Sequence, residues 1–309
     1  MIASSLRRYG TLIALVLLIL TFSIAAPQAF ASAANMFNLL QQITTLAIVA
    51  VAATFVMAIG EFDLSVGFVA SLAAILALAL FGVGVPVALA FAAGLLAGAV
   101  AGLANGVLVA RFEIPSFVAT LAVGTILSGL SYWASGGTSL FSGVPDGFKA
   151  LGRGSLLGLP ILSLWMLATL AAAAIVFVKT RFGRRIHAIG ANVQAARLVG
   201  LPVVRDRIVT FAIAGALSAL AGLLLAARLG SAQHTMGEAL LLPAYAAVFL
   251  GTTASRTGTP NIGGTFLGVV IAGIIANGLT ILGAEPFVQR MVTGGIIIAA
   301  VLVRRFGRA

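Results

Sequence analysis

Apolar residues in this chain fall into long unbroken runs, not into the period-two pattern of a half-buried strand or the one-faced pattern of a surface helix. An α-helix needs about 20 apolar residues to cross roughly 30 Å of hydrocarbon. Ten segments meet or approach that length, at 11–29, 37–59, 64–81, 85–109, 115–135, 160–178, 208–227, 239–254, 262–282 and 287–303. Charged residues mark the gaps: all but Arg290 lie between these segments. A charge at mid-bilayer costs about 2.5–3.5 kcal/mol even on insertion scales, so this partition supports the segmentation. The pattern predicts an all-α fold, a polytopic transmembrane helical bundle of about ten spans, as a single unit over 1–309.

Composition agrees. The chain is 61% hydrophobic and 8% charged, too few charges to cover a water-facing surface. Its 36 glycines suit helices that approach closely within lipid. Cysteine is absent, which excludes disulfides, thiolate metal sites and Cys nucleophiles. Arg7 and Arg8 before an apolar run, with Ala29 and Ala31 after it, imitate a signal peptide. Since everything downstream is also apolar, the expectation is an uncleaved first span.

The net charge of +11 is a topology signal and not a nucleic-acid signal. With the N-terminus inside and alternation thereafter, the inner side holds Arg7, Arg8, Arg111, Lys179, Arg181, Arg184, Arg185, Arg197, Arg205, Arg207, Arg256, Arg304, Arg305 and Arg308. The outer side holds only Lys149, Arg153, Arg228 and Arg290, a bias of 14 to 4. Both termini are therefore expected in the cytoplasm. The outer loop at 136–159 is rich in Gly, Ser and Pro and is expected to be irregular. The inner loop at 179–207 is basic, and Asn192 to Leu201 reads as a short helix closed by Gly200 and Pro202.

An internal repeat is visible. A-G-L-A-N-G-V-L-V begins at Ala101 and I-I-A-N-G-L-T-I-L at Ile274, and a shift of 172 residues superposes segments two to five on seven to ten. Copies five spans apart have opposite orientation, which predicts an inverted repeat, a common transporter architecture.

Three stretches carry candidate chemistry. Gly60 to Gly67 reads G-E-F-D-L-S-V-G. It is either a break lining a path through the membrane or a tight turn whose Asp63 caps the next helix. In Gly102 to Leu121, Gly102 and Gly106 bracket Asn105 on a close-packing face, where helix packing is favoured over solute contact. In Gly183 to Leu201 a small-residue helix with a projecting Arg197 suits docking into a partner's groove, against the plainer reading of a basic loop that only sets topology. His187 and His234 lack ligand partners at metal spacing, and neither a metal nor another cofactor is expected. There is no G-x-x-x-x-G-K-[ST] loop, and no ionisable residue except Arg290 within a span. Energy for any transport should then come from a separate subunit. The competing reading, an ion-coupled secondary transporter with inverted repeats, could draw only on Glu61 or Asp63.

In combination these motifs resemble the ribose-type permease subunits of bacterial ABC importers, a group related to the branched-chain amino-acid permeases. The likeness runs from about residue 35 to the end. Gly60 and Asp63 to Gly67 match G-x-x-D-L-S-V-G. Asn105, Gly106, Ile114, Pro115, Phe117, Thr120 and Leu121 match N-G-x-L-V … I-P-x-F-x-x-T-L. Gly183, Arg184, Ala188, Ile189, Gly190, Asn192, Ala195, Ala196, Arg197, Leu198 and Gly200 match G-R-x-x-x-A-I-G-x-N-x-x-A-A-R-L-x-G, and Asn277 to Gly283 match N-G-L-x-x-L-G. The eighth segment, Val248 to Gly264, departs from the family's pattern, which leaves the substrate subgroup open.

The resemblance implies a subunit without enzymatic activity of its own in the bacterial inner membrane. It would move a sugar or similar small polar solute inward by alternating access, with pentoses, hexoses and polyols the usual cargo. Asn192, Ala195, Ala196, Arg197, Leu198 and Gly200 would form the coupling helix on a cytoplasmic ATPase. Asp63, Ser65, Asn105 and Asn277 are the candidates for the translocation path or a gate along it. Further implied partners are a second permease chain, identical or paralogous, a periplasmic solute-binding protein on the outer loops, and membrane lipids.

Overall fold

The computed structural model describes residues 2–253 and 258–306, and side chains within 11–253 and 258–299. Of the basic residues that orient the chain, Arg256 and Arg308 lie outside the described residues, as do the side chains of Arg7, Arg8, Arg304 and Arg305.

Each apolar segment of the sequence coincides with a helix. In chain order these elements are α1 (Ile2–Ala25), α2 (Pro27–Phe30), α3 (Ala33–Ala58), α4 (Val66–Gly82), α5 (Val87–Ala110) and α6 (Ser116–Ser135). After them come α7 (Asp146–Arg153), the strands β1 (Ser155–Leu156) and β2 (Leu159–Pro160), α8 (Ile161–Lys179), α9 (Arg181–Ala191) and α10 (Val193–Leu198). The chain continues with α11 (Val203–Leu229), α12 (Glu238–Thr253), α13 (Ile262–Ile281) and α14 (Pro286–Phe306). Among the described residues, six helices are long and apolar enough to cross a membrane: α3, α5, α6, α8, α11 and α13. Shorter apolar stretches lie in α1, α4, α12 and α14. The protein is an all-α polytopic membrane protein.

Two helices organise the interior. From Ala47 to Ala53, α3 is at most 1% exposed on every side. A helix apolar all round is stable only when surrounded by protein or lipid, and this one is surrounded by protein. The other, α11, packs against α5, α3, α4 and α7. Its seam with α5 is made of small residues: a Cβ on Gly98 would stand 2.5 Å from the Gly215 carbonyl oxygen, and one on Gly102 2.1 Å from that of Phe211. Only glycine permits this backbone-to-backbone approach. The outer apolar side chains of α5, such as Leu89, Leu96, Val100 and Leu103, point away from the protein, as a lipid-facing surface requires.

Neighbour relations recur between the two sets of helices related by the sequence repeat. α4 packs on α5 and α6 as α12 packs on α13 and α14, while α3 meets α13 as α11 meets α5.

The loops depart from expectation in two places. The 136–159 loop is not irregular throughout, because α7 and a small antiparallel hairpin lie in it. Pro145 at the N-cap position and Asp146 in the first turn start α7. Phe148 is then fully buried against Phe81, ring centroids 5.0 Å apart. Arg153 ends the helix by donating to the Arg228 and Leu229 carbonyls at 2.7 and 2.6 Å, satisfying the C-terminus of α11. In the 179–207 stretch, α9 precedes the expected short helix, and α11 begins at Val203 instead of 208, so Arg205, Asp206 and Arg207 are helical.

Candidate functional site

The segment between α3 and α4 is not helical. Glu61 to Asp63 run in open backbone between turns at 59–60 and 64–65, and α4 begins only at Val66. A non-helical stretch inside a membrane protein must find partners for its backbone N–H groups. Here side chains supply them. The Phe62 N–H donates to Ser116 Oγ at 3.2 Å, that of Asp63 to Tyr245 Oη at 2.7 Å, and that of Leu64 to Thr120 Oγ1 at 2.9 Å. The Ser65 N–H donates to Asp63 Oδ1 at 2.8 Å. Tyr245 Oη in turn donates to the Asp63 carbonyl at 2.9 Å. Two helices, α6 and α12, thus hold one break by its backbone.

Side chains extend the lock to α5. Ser65 Oγ donates to Asp63 Oδ1 at 2.6 Å and accepts from Asn105 Nδ2 at 2.7 Å. Asp63, Ser65 and Asn105 are all essentially inaccessible. Asp63 does not cap α4 in the usual sense: the N-cap position is Ser65, which makes no side-chain cap bond. The carboxylate instead folds back on Ser65, inside the break. Asn277 stands apart from this cluster. On α13, it exchanges two hydrogen bonds with Asn35 near the start of α3, at 3.0 and 2.9 Å.

Next to the break, α4 and α12 begin side by side. A Cβ on Gly67 would be 2.8 Å from the Gly237 carbonyl oxygen, and Ser71 Oγ accepts from the Gly237 N–H at 2.9 Å. Further along α12, Tyr245 meets Asp63, and Phe249 meets Phe62 with ring centroids 6.2 Å apart. The two helices therefore run in opposite directions from a shared starting point, and most of α12 lies along the break.

At its Glu61 end the break is anchored by charge. Glu61 Oε1 accepts from Arg207 Nη2 on α11, with side chains 18% and 11% exposed. The preceding residue, Asp206, accepts from Arg185 of α9 at 2.5 and 3.0 Å. These pairs were not read from the sequence, where the basic residues of this region served only as topology markers. Tyr245 was also missed; its signal was a lone phenol within an apolar run.

The short helix α10 is capped by Asn192, whose Oδ1 accepts from the Ala195 N–H at 2.9 Å. Ala196 turns inward at 3% exposure, while Leu198 and Val199 project at 89% and 73%. Arg197 pairs with Glu113 of the α5–α6 turn at 3.2 Å. Gly200 takes φ +76°, a left-handed conformation that ends the helix. Beside it, residues including Leu201, Val204 and Ile208 line a shallow groove of about 720 Å³. Of the two histidines, His187 packs edge-on to Phe177 and His234 edge-on to Tyr132. Burial holds the His187 imidazole below its ordinary pKa.

Comparison with known proteins agrees with this arrangement. Residues 35–301 match the family described as branched-chain amino acid transport system / permease component. Over 301 residues the chain is 39% identical to the ribose import permease protein RbsC of Bacillus subtilis, covering 97% of this chain and 93% of that one. It is 38% identical over 302 residues to RbsC of Escherichia coli K12, covering 96% and 94%. It is 33% identical over 304 residues to the L-arabinose ABC transporter permease protein AraH of Azospirillum brasilense, covering 98% and 89%. No solved structure matches. With nearly its whole length matched, and with the D-L-S break and the capped helix α10 at the motifs that carry the likeness, the chain belongs to this family of membrane transport permeases.

Proposed function

We propose that this chain is the membrane-spanning permease subunit of a binding-protein-dependent ABC importer in a bacterial inner membrane. Its cargo is a sugar or a similar small polar solute, the class named for the ribose and arabinose relatives. A separate ATPase drives alternating access, and two permease chains enclose the path. Both termini lie in the cytoplasm, and α7 with its hairpin forms part of the outer face that receives the solute-binding protein.

The observation that carries this reading is α10. Its apolar tip, Leu198 with the C-cap Val199, stands exposed among the described residues and ends a helix that is capped by Asn192 and anchored from behind by Ala196. A tip of that kind fits the coupling role on a partner ATPase. The ion-coupled alternative needs an uncommitted carboxylate in the interior, and both candidates are engaged, Glu61 by Arg207 and Asp63 by Ser65.

The break is the proposed gate element. Asn105 lies five residues before the end of α5, about 8 Å from it at about 1.5 Å per residue, so the cluster of Asp63, Ser65 and Asn105 sits toward the inner end of the bundle. Opposed helices that start side by side, as α4 and α12 do at Gly67 and Gly237, fit the inverted repeat of α3–α6 and α11–α14. Asn277, at the position in the second copy that Asn105 holds in the first, is assigned to the other end of the same gating unit.

Reconstitution tests the reading. In proteoliposomes, solute uptake should require the ATPase, the binding protein and ATP together. Uptake by this chain alone, driven by an ion gradient, would overturn it in favour of the secondary carrier.

A further inference from the structure

We propose that Arg207 and Glu61, with the adjoining Arg185–Asp206 pair, are positioning residues that deliver movement of the cytoplasmic helices to the break. The inference rests on the importer reading above.

The geometry is a two-sided clamp. Asp206 and Arg207 are consecutive on α11, so their side chains leave the helix about 100° apart. One faces α9 and the other faces the break. Asp206, with 2% of its side chain exposed, holds the Arg185 guanidinium through two nitrogens, Nε and Nη2. That bidentate form fixes orientation as well as distance. Arg207 reaches Glu61, the residue immediately before the locked stretch 62–65. Only Val199 to Pro202 separate the end of α10 from the start of α11. A displacement at α9 or α10 therefore reaches Arg207 within the first turns of one rigid helix.

Beyond Glu61 the route stays short. Phe62 and Leu64 hang on Ser116 and Thr120 of α6, Asp63 hangs on Tyr245 of α12, and Ser65 on Asn105 of α5. Moving residue 61 thus pulls on three helices at once. A second contact keeps α9 in register with the same point: a Cβ on Gly190 would stand 2.0 Å from the Ala58 carbonyl oxygen at the end of α3.

Packing alone does not explain the choice of charges. Desolvating an ion pair costs as much as or more than it returns, and an apolar pair of similar volume often holds elements together as well. What the charged pairs add is a specified geometry between elements that move relative to one another.

The test uses the complete complex of permease, ATPase and binding protein in proteoliposomes, and reads solute imported per ATP hydrolysed. This ratio does not depend on how much complex has folded. Glu61→Gln and Arg207→Gln should each lower it about tenfold, within the range of ordinary coupling free energies, while hydrolysis persists. The exchange Glu61→Arg with Arg207→Glu should restore most of the loss, which a purely structural role would not require. An unchanged ratio in both single variants, or an exchange variant that assembles and hydrolyses ATP yet stays uncoupled, overturns the proposal. If the unmodified complex shows no ATP-dependent import at all, it is the importer reading that fails.

Discussion

Gly102 shows how much of this protein is decided by single atoms. The Cβ of an alanine there would lie 2.1 Å from the Phe211 carbonyl oxygen. Neither backbone can yield without opening the α5–α11 seam. We expect Gly102→Ala to destabilise the detergent-solubilised protein by about 1–3 kcal/mol, the usual cost of overpacking. Gly129 on α6 is the contrast, with nothing within 4 Å of its added Cβ. Gly129→Ala should be neutral or stabilising by about 0.5–1 kcal/mol, since alanine is the better helix former. Thermal unfolding of both variants checks the pair, and equal midpoints would refute the seam. The same scale marks the limit of sequence reading. That Gly102, Asn105 and Gly106 form a packing face is legible from i, i+4 spacing. That Asn105 closes on Ser65, or that Tyr245 both gives and takes a hydrogen bond with Asp63, depends on residues 40 and 182 positions apart. Local pattern holds no record of such pairs.

Elements were legible where hydrophobicity decides them, and illegible where amphipathic packing does. Each of the ten apolar runs lies on a helix, with ends shifted by a few residues except in the first, where α1 starts nine residues earlier and breaks before α2. The helices missed, α7 and α9, are short and mixed in character, and each exists because one face is buried, through Phe148 in α7 and through Ile186 and Ile189 in α9. The six-residue α10 was visible only through its stop signals and its motif. Too short to be stable alone, it depends on its cap and its inner face. This separates two kinds of lesion. Asn192→Ala should cost about 1 kcal/mol at the cap and make residues 192–201 more open to proteolysis. Leu198→Asp should leave the helix protected and abolish only its docking. Both should weaken retention of the ATPase by the purified permease, and protease sensitivity should tell them apart. Retention unchanged in Leu198→Asp would remove the tip from the coupling surface.

At the scale of the whole molecule, one helix carries the argument about sidedness. Leu157 and Leu198 are joined through α8, one of the helices long and apolar enough to cross a membrane. Leu157 is 96% exposed at the tip of the β1–β2 hairpin, and it holds φ +52° beside Gly158 at +79°. Two residues at positive φ define a tight hairpin turn that normally favours Asn and Gly, so a fully presented leucine there suits a contact surface. Leu198 is the tip of α10. If α8 crosses the bilayer, these leucines must lie on opposite sides, and the excess of inner Arg and Lys decides which is which. The chain has no cysteine, so single-cysteine reporters need no prior substitution. In intact cells stripped of their outer barrier, Leu157→Cys should react with a membrane-impermeant maleimide. Leu198→Cys should react only after the membrane is opened. Labelling of both from outside would mean that α8 does not cross, and the ten-span bundle with it would fall. The reverse pattern would keep the bundle but turn it over, placing α10 where no cytoplasmic ATPase could reach it.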